Sequence, residues 1–271
     1  MKVLLNNNDL IDVIKNIKNI GFVPTMGSLH KGHESLIKES QKKTKNTIVS
    51  IFVNPKQFND KKDFARYPQN QKKDLTILKK LNVDYVFIPS VENIYPKKSK
   101  NKNFSINKNL NILCAKYRKG HFEGVLEVMN RLTYLIKPNK IFMGEKDFQQ
   151  FYLVKKFLEK KYPTKVIMCK TIRNKKGLAL SSRNMLLSKN QINIAEKVIT
   201  SLKLLKIKLK RSDQIEKKIM DEKKILEKKF NCKIQYLELR NKKNLKKTSK
   251  IENSKLFVAF FLKKVRLIDN F

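Results

Sequence analysis

The sequence contains no run of about eighteen consecutive apolar residues, so nothing in it reads as a membrane span. Its first residues, MKVLLNNNDLIDVIKN, break a short apolar start with Asn and Asp, which argues against a signal peptide. Cysteine is scarce: Cys114, Cys169 and Cys232 are odd in number and lack metal-ligand spacing. They read as free, partly buried thiols of a reducing cytoplasm rather than as a disulfide framework or a zinc site. Glycine and proline number seven each, and neither occurs after Gly177. That shift in composition places a domain boundary near 176. Internal repeats and a low-complexity tail are also lacking. What is present is a chain of 271 residues, 41% hydrophobic, enough for one or two domains with a real core.

Acidic residues are the other shortage: 23 Asp and Glu stand against 62 Lys and Arg, a formal net charge of +39. Such a balance is the usual footprint of a nucleic-acid binder. Yet the excess is lysine, with arginine only at positions 66, 118, 131, 173, 183, 211, 240 and 266. Base-reading proteins favour arginine forks and stacking aromatics, whereas lysine is a hydrated point charge. Here Lys, Asn and Ile rise together and spread over every segment, the mark of AT-rich codons. The charge therefore reads as genome composition, and no nucleic-acid partner is expected.

Up to 176, apolar β-type runs alternate with helical spacing. NIGFVP (19–24), TIVSIFV (47–53), VDYVFIP (83–89), KIFM (140–143) and TKVIMCK (164–170) read as strands. Helices are expected from the glycine turn to about Gln41, over 74–81, from Phe122 to Pro138, and over 147–160. This alternation implies α/β architecture, a Rossmann-like doubly wound parallel sheet. From 177 to 271, two helices (189–209 and about 212–230) precede strands at 233–240, 256–262 and 264–268. That is a smaller C-terminal α+β domain.

Two of the three histidines and two of the seven glycines fall between Gly27 and His33, in VPTMGSLHKGH. In an open parallel sheet, ligands bind where strands end and helices begin. The first turn of such a helix offers unpaired N–H groups, a ready phosphate site. Gly27 and Gly32 allow a sharp bend and close approach, and His30 and His33 can face one anion. The plain alternative is that these histidines cap the helix or pack at a turn.

MGSLHKGH resembles the His-x-Gly-His signature of the nucleotidyltransferase superfamily. With SIFVNPKQF, YRKGHFEGV, GEKDFQQ and GLALSSRN in order and spacing, the chain resembles the pantoate–β-alanine ligase (pantothenate synthetase) family over about 20 to 190. The resemblance implies ATP-dependent joining of pantoate to β-alanine through a pantoyl adenylate, with AMP and pyrophosphate released. It implies an ATP site at Met26, Gly27, Ser28, Leu29, His30, Lys31, Gly32 and His33. Gly144, Glu145, Lys146 and Asp147 would close its other side, with Ile172 and Leu180, Ser181, Ser182 and Arg183 completing it.

By the same resemblance, His33 would donate a proton or hydrogen bond, with His30 beside it. Lys146 would supply charge to phosphate oxygens, and Arg183 would hold the leaving pyrophosphate. Asp147 also stands where an N-cap would. Gln57 and Gln150 match the pantoate-binding glutamines, and Gln57 would face β-alanine as well. An amide suits that task because it donates and accepts without titrating. Mg²⁺ is expected to arrive with ATP, with no dedicated metal ligands. Asp74 matches an acid near the magnesium–phosphate region of the family. A homodimer in the cytoplasm, with the C-terminal domain as a lid, is implied in the same way.

Two departures stand out: Lys119 replaces the family's proline before Gly120, and Cys114-Ala115 replaces Glu-Gly. They leave the role of Arg118 open and favour a structural His121. A different adenylyltransferase would share His-x-Gly-His but not NPKQF with GEKDFQQ. A pseudoenzyme would show losses at His30, His33, Lys146 or Arg183, and none is lost.

Overall fold

The structure, a computed structural model, describes residues 1–59, 61–96 and 104–271. The chain divides into two compact units, Met1–Thr171 and Ile172–Phe271. The expected division at 176 lies beyond this because composition marks the last glycine. Gly177 sits in a turn of the second unit, where Arg173 bridges Ala179.

The first unit runs β1 (Lys2–Leu4), α1 (Asn7–Ile14), β2 (Ile20–Thr25), α2 (Lys31–Lys43), β3 (Asn46–Ile51), α3 (Lys61–Ala65) and α4 (Gln71–Lys80). It continues with β4 (Tyr85–Phe87), α5 (Val91–Ile94), α6 (Cys114–Tyr117), α7 (His121–Ile136), β5 (Lys140–Gly144), α8 (Phe148–Lys161) and β6 (Lys165–Cys169). The six strands form one parallel sheet in the order β1-β4-β3-β2-β5-β6. Strands covered on both faces must be apolar throughout, and Phe22, Val23, Ile48, Val49, Val86, Ile141 and Phe142 are all fully buried. Leu36 and Ile37 of α2 and Leu78 of α4 pack on one face with Val23, Val49 and Val86.

Chain order sets where a ligand can sit. From β2 the chain steps to β3 and then β4 on one side of the sheet, while β5 returns to the other side of β2 and continues to β6. The crevice between the carboxyl ends of β2 and β5 is the topological switch point, the preferred ligand site of such sheets. β2 ends at Thr25, just before Met26–His33, and β5 ends at Gly144, the start of GEKD.

The second unit carries α9 (Lys189–Leu209), α10 (Ile215–Phe230) and an antiparallel sheet, β7 (Lys233–Asn241), β8 (Ser254–Leu262) and β9 (Val265–Asn270). Val198, Leu202 and Leu205 of α9 pack into one core with Ile219 and Leu226 of α10 and Val258 and Phe260 of β8. All three cysteines are free and buried, and burial pushes the Cys169 and Cys232 thiols up to about 11. Among the described residues, no helix is long and apolar enough to cross a membrane.

Candidate active site

The turn between β2 and α2 is tightly determined. Gly27 has φ +77° and Ser28 φ +54°, two consecutive left-handed residues that turn the next N–H groups to one side. Thr25 Oγ1 accepts from Gly27 N at 3.1 Å and donates to the Ser50 carbonyl at 2.7 Å, tying the turn to β3. Ser28 and Leu29 are buried, and their N–H groups donate to the two oxygens of Asp74, each at 2.7 Å.

His30 is the N-cap of α2, in extended geometry with φ −144°. Its Nδ1 accepts from Gly32 N at 3.0 Å, while His33 Nδ1 accepts from His30 N at 3.3 Å. This is a capping box built from two imidazoles instead of a hydroxyl and a carboxamide. A ring nitrogen that accepts a backbone N–H carries no proton, so each neutral ring holds its proton on Nε2. The rings lie 4.1 Å apart between centroids, tilted by 33°. Among the described residues neither Nε2 has a hydrogen-bond partner, which leaves two N–H donors available to a ligand.

Burial is the main cause holding both imidazoles neutral. The His30 pKa falls to about 4, through burial and then the charge of Lys146, partly opposed by Asp147. That of His33 falls to about 3, through burial, then His30, then Lys146. The influence of Lys146 on both rings places the GEKD turn, at the end of β5, near the histidine turn at the end of β2. Lys146 Nζ lies 3.2 and 3.3 Å from the Asp147 carboxylate oxygens. Asp147 makes no side-chain cap to α8, so its carboxylate serves the lysine instead of the helix. Glu145 to Asp147 form a 3-10 turn, half-buried like Gly144 before it, while Lys31 is exposed on the first turn of α2.

Gln57 is buried after β3. Its Nε2 donates to Met26 Sδ at 2.6 Å, so the structure brings the expected pantoate residue against the histidine turn. Asn54 Nδ2 reaches Gln57 Oε1 at 3.4 Å and the Gly124 carbonyl at 3.1 Å. Its Oδ1 accepts from Lys56 N and from the Tyr95 hydroxyl. The Gln57 carbonyl accepts from His121 Nδ1 at 2.7 Å, and Arg118 Nη1 lies 2.9 Å from His121 Nε2. His121 is thus the expected structural residue: donating from Nδ1, it accepts from Arg118 on Nε2 and holds the main chain at Gln57. Gln150 is half-buried in the first turn of α8 with no hydrogen-bond partner among the described residues. Gln149 beside it is spent on the Cys114 amide and the Ile112 carbonyl.

In the second unit, Leu180 N donates to the Ile172 carbonyl at 3.0 Å, so these two expected nucleotide residues are paired. Ser181 caps a 3-10 turn by accepting from Arg183 N at 3.3 Å, and Ser182 is buried. Arg173 donates to the Gly177 carbonyl and forks onto Asp269 at 2.5 and 2.9 Å, holding the 172–180 hairpin to β9.

Residue patterns did not reveal Asn54 or Gly124 as parts of this site. The available signals were an Asn-Pro pair directly after a strand and a glycine inside a helical pattern, which costs helix stability unless packing requires it. A Cβ on Gly124 would sit 2.6 Å from the Lys56 carbonyl carbon and 2.9 Å from Gln57 N.

A parallel α/β sheet with two neutral imidazole donors and a lysine at its switch point has the makings of a phosphate site, the architecture of nucleotide-handling proteins. The particular family follows from comparison with known proteins. The family model described as pantoate-beta-alanine ligase matches residues 2–271, and this chain belongs to that family of ligases. Pantothenate synthetase of Leptospira interrogans is 42% identical over 258 residues, covering 93% of this chain and 90% of its own. Pantothenate synthetase of Pseudothermotoga lettingae is 39% identical, covering 100% of this chain and 98% of its own. Among solved structures, pantoate-beta-alanine ligase of Francisella tularensis, complexed with beta-gamma ATP and beta-alanine, superposes with a TM-score of 0.86 at 38% identity. It covers 100% of this chain and 97% of its own. The pantothenate synthetase of Thermus thermophilus reaches a TM-score of 0.93 at 30% identity, covering 100% and 99%.

Proposed function

We propose that this chain condenses pantoate with β-alanine to pantothenate at the expense of ATP, through a pantoyl-adenylate intermediate. The observation that carries this reading is the pair of Nε2–H donors that the Nδ1 caps leave on His30 and His33, with the charge of Lys146 near both. In the first step a pantoate carboxylate oxygen attacks the α-phosphorus of ATP and the bond to the bridging oxygen breaks, releasing pyrophosphate. In the second, the uncharged amine of β-alanine attacks the acyl carbon, the carbon–oxygen bond to AMP breaks, and the nitrogen loses a proton.

Negative charge builds on phosphoryl oxygens and the leaving group in the first step, and fixed donors stabilise it without reorganising. At pH 7 both imidazoles are neutral, so they act as hydrogen-bond donors held in place by the helix start, and the cation of the site is Lys146, paired with Asp147. Gln57 and the unengaged amide of Gln150 suit the hydroxyl and carboxylate of pantoate, and Gln57 also β-alanine. Met26, Gly27 and Lys31 would border the nucleotide with Gly144 and Glu145. The segment Leu180–Arg183 and Ile172 enter through the sequence resemblance, with Arg183 assigned to pyrophosphate. Support for the substrates comes from the Francisella tularensis relative, whose structure holds an ATP compound and β-alanine.

Mg²⁺ is proposed to arrive with ATP, held by phosphate oxygens and water, and when bound it neutralises phosphate charge. The described residues offer no group of three or more His, Cys, Asp or Glu arranged for a metal. The proposal includes a homodimer, on the strength of the resemblance, a cytoplasmic location, from the free thiols, and no nucleic-acid partner, from the spread of lysine over every segment.

The test is pyrophosphate release from ATP and Mg²⁺, first with pantoate alone and then with β-alanine. A pantoate-dependent burst near one per site, becoming steady turnover with β-alanine, is expected. His33→Ala should lower the burst rate by about 100-fold or more. Release that does not depend on pantoate would sink the reading.

A further inference from the structure

We propose that Asp74 is a positioning residue for this chemistry: its carboxylate is the resident anion of the β2–α2 turn and fixes the backbone that presents His30 and His33. The inference rests on the phosphate-binding reading of that turn given above.

Asp74 lies in the first turn of α4, after β3, far in sequence from the histidines. It is 1% exposed, and each carboxylate oxygen takes one N–H of the turn at 2.7 Å. Successive backbone N–H groups presented by a turn, here those of Ser28 and Leu29, form a concavity that binds anions. Here the protein fills it with its own carboxylate. A ligand phosphate therefore cannot take the Ser28 and Leu29 amides and must meet the imidazole donors further along. Leu29 is followed directly by His30, so the fixed amides set where α2 begins and which way both rings point.

Gly27 completes the arrangement. A Cβ there would lie 2.9 Å from Asp74 Oδ2 and 3.2 Å from Ile51 Cγ2, at a φ that side chains rarely adopt. The glycine thus serves the approach of Asp74 as much as the bend of the chain. Without the carboxylate, two buried donors lose their acceptors, and Ser28 loses what holds it in a left-handed conformation.

The test compares wild type with Asp74→Ala and Asp74→Asn, using melting temperature to establish folding. In wild type, ¹⁵N-histidine NMR at pH 7 should show an unprotonated Nδ1 and a protonated Nε2 for both His30 and His33. In Asp74→Ala the two rings should show mixed tautomers, and pantoate-dependent kcat should fall by about 100-fold, the scale of an ångström-level misplacement. kcat/KM for β-alanine should stay within about two-fold, since that substrate acts only in the second step. Added formate, a carboxylate small enough for the vacated turn, should recover at least a tenth of the lost rate while leaving wild type unaffected.

Asp74→Asn keeps one acceptor but sets an amide donor against the second N–H. It should be intermediate, and it decides the question if Asp74→Ala does not fold. A folded variant with wild-type kcat, or one whose loss comes with unchanged histidine tautomers and no formate response, overturns the proposal. If wild type releases no pyrophosphate, the functional reading fails, and the tautomer comparison still decides what Asp74 does.

Discussion

Gly124→Ala is a single-methyl change that separates substrate recognition from stability. Gly124 lies in α7, where alanine favours the helix by about 1 kcal/mol. The new methyl would stand 2.6 Å from the Lys56 carbonyl carbon and 2.9 Å from Gln57 N, and closer still to the Lys56 carbonyl oxygen. Carbon–carbon contacts settle at about 3.5 Å or more, so backbone must retreat by about 1 Å. No flexible side-chain end can absorb this, because the obstructing atoms are main chain. Overpacking of this kind costs about 1–3 kcal/mol, so the helix preference offsets much of it and the melting temperature should fall by only a few degrees. Gln57, however, moves with its main chain, away from Met26 Sδ and from the carbonyl position that His121 holds. Pantoate titrations of pyrophosphate release should show kcat/KM for pantoate reduced by about 10- to 100-fold, with melting nearly preserved. A variant with wild-type pantoate kinetics would refute the claim that the 55–57 turn positions Gln57 through α7.

Two further outcomes follow from the same geometry. The histidine pKa values of about 4 and 3 lie below the ordinary value of 6.5, so between these limits the unfolded chain binds protons that the folded chain refuses. Stability is then level with respect to these groups above pH 6.5 and falls as pH drops from 6.5 toward 3. NMR titration should show both rings unprotonated down to about pH 5, and a midpoint near 6.5 for either would contradict the hydrogen-bonding pattern. In the second unit, Asp269→Ala removes the acceptor of the Arg173 fork from a site where the aspartate side chain is 1% exposed. Breaking such a pair costs about 3–5 kcal/mol, so the unfolding midpoint should drop by 10 °C or more, and an unchanged midpoint would show that the fork does not hold the hairpin.

The sheet was legible because its strands are runs of Val, Ile and Phe closed by Pro, Gly or Asn, and a buried parallel sheet needs no finer pattern. Every strand expected from 19 to 170 forms within a few residues of its expected span. The start of the chain was less readable. The asparagines that interrupt MKVLL are a helix start, with Asn6 Oδ1 accepting from Asn8 N and Asp9 N. β1 is only three residues long and exists through its pairing with β4, a contact that no local pattern encodes. The histidine turn was legible because glycines and histidines are rare in this chain and cluster there. Asp74 had no such signal: its burial arises only when the crossover from β3 to β4 brings α4 beside the β2–α2 turn. Asp147 is the reverse case, a good cap residue in a cap position that makes no side-chain cap because its carboxylate is drawn to Lys146.

Capping and ligand binding were rival readings of His30 and His33 from the sequence, and the structure shows the capping in a form that leaves room for the other: both rings cap through Nδ1. A serine or aspartate cap spends its oxygen on the helix and has no second nitrogen to offer. Imidazole has two ring nitrogens of opposite character when neutral: Nδ1 accepts from the helix start, and by doing so commits the proton to Nε2. Burial then keeps the ring neutral, and neutrality is what preserves the cap, since a protonated Nδ1 could not accept. The same burial would weaken a site that relied on imidazolium charge, and Lys146, brought from the end of β5, supplies the charge separately. Net charge draws anions toward the whole surface, whereas the fold fixes two neutral imidazoles at a helix start and holds one lysine near enough for its charge to act on both.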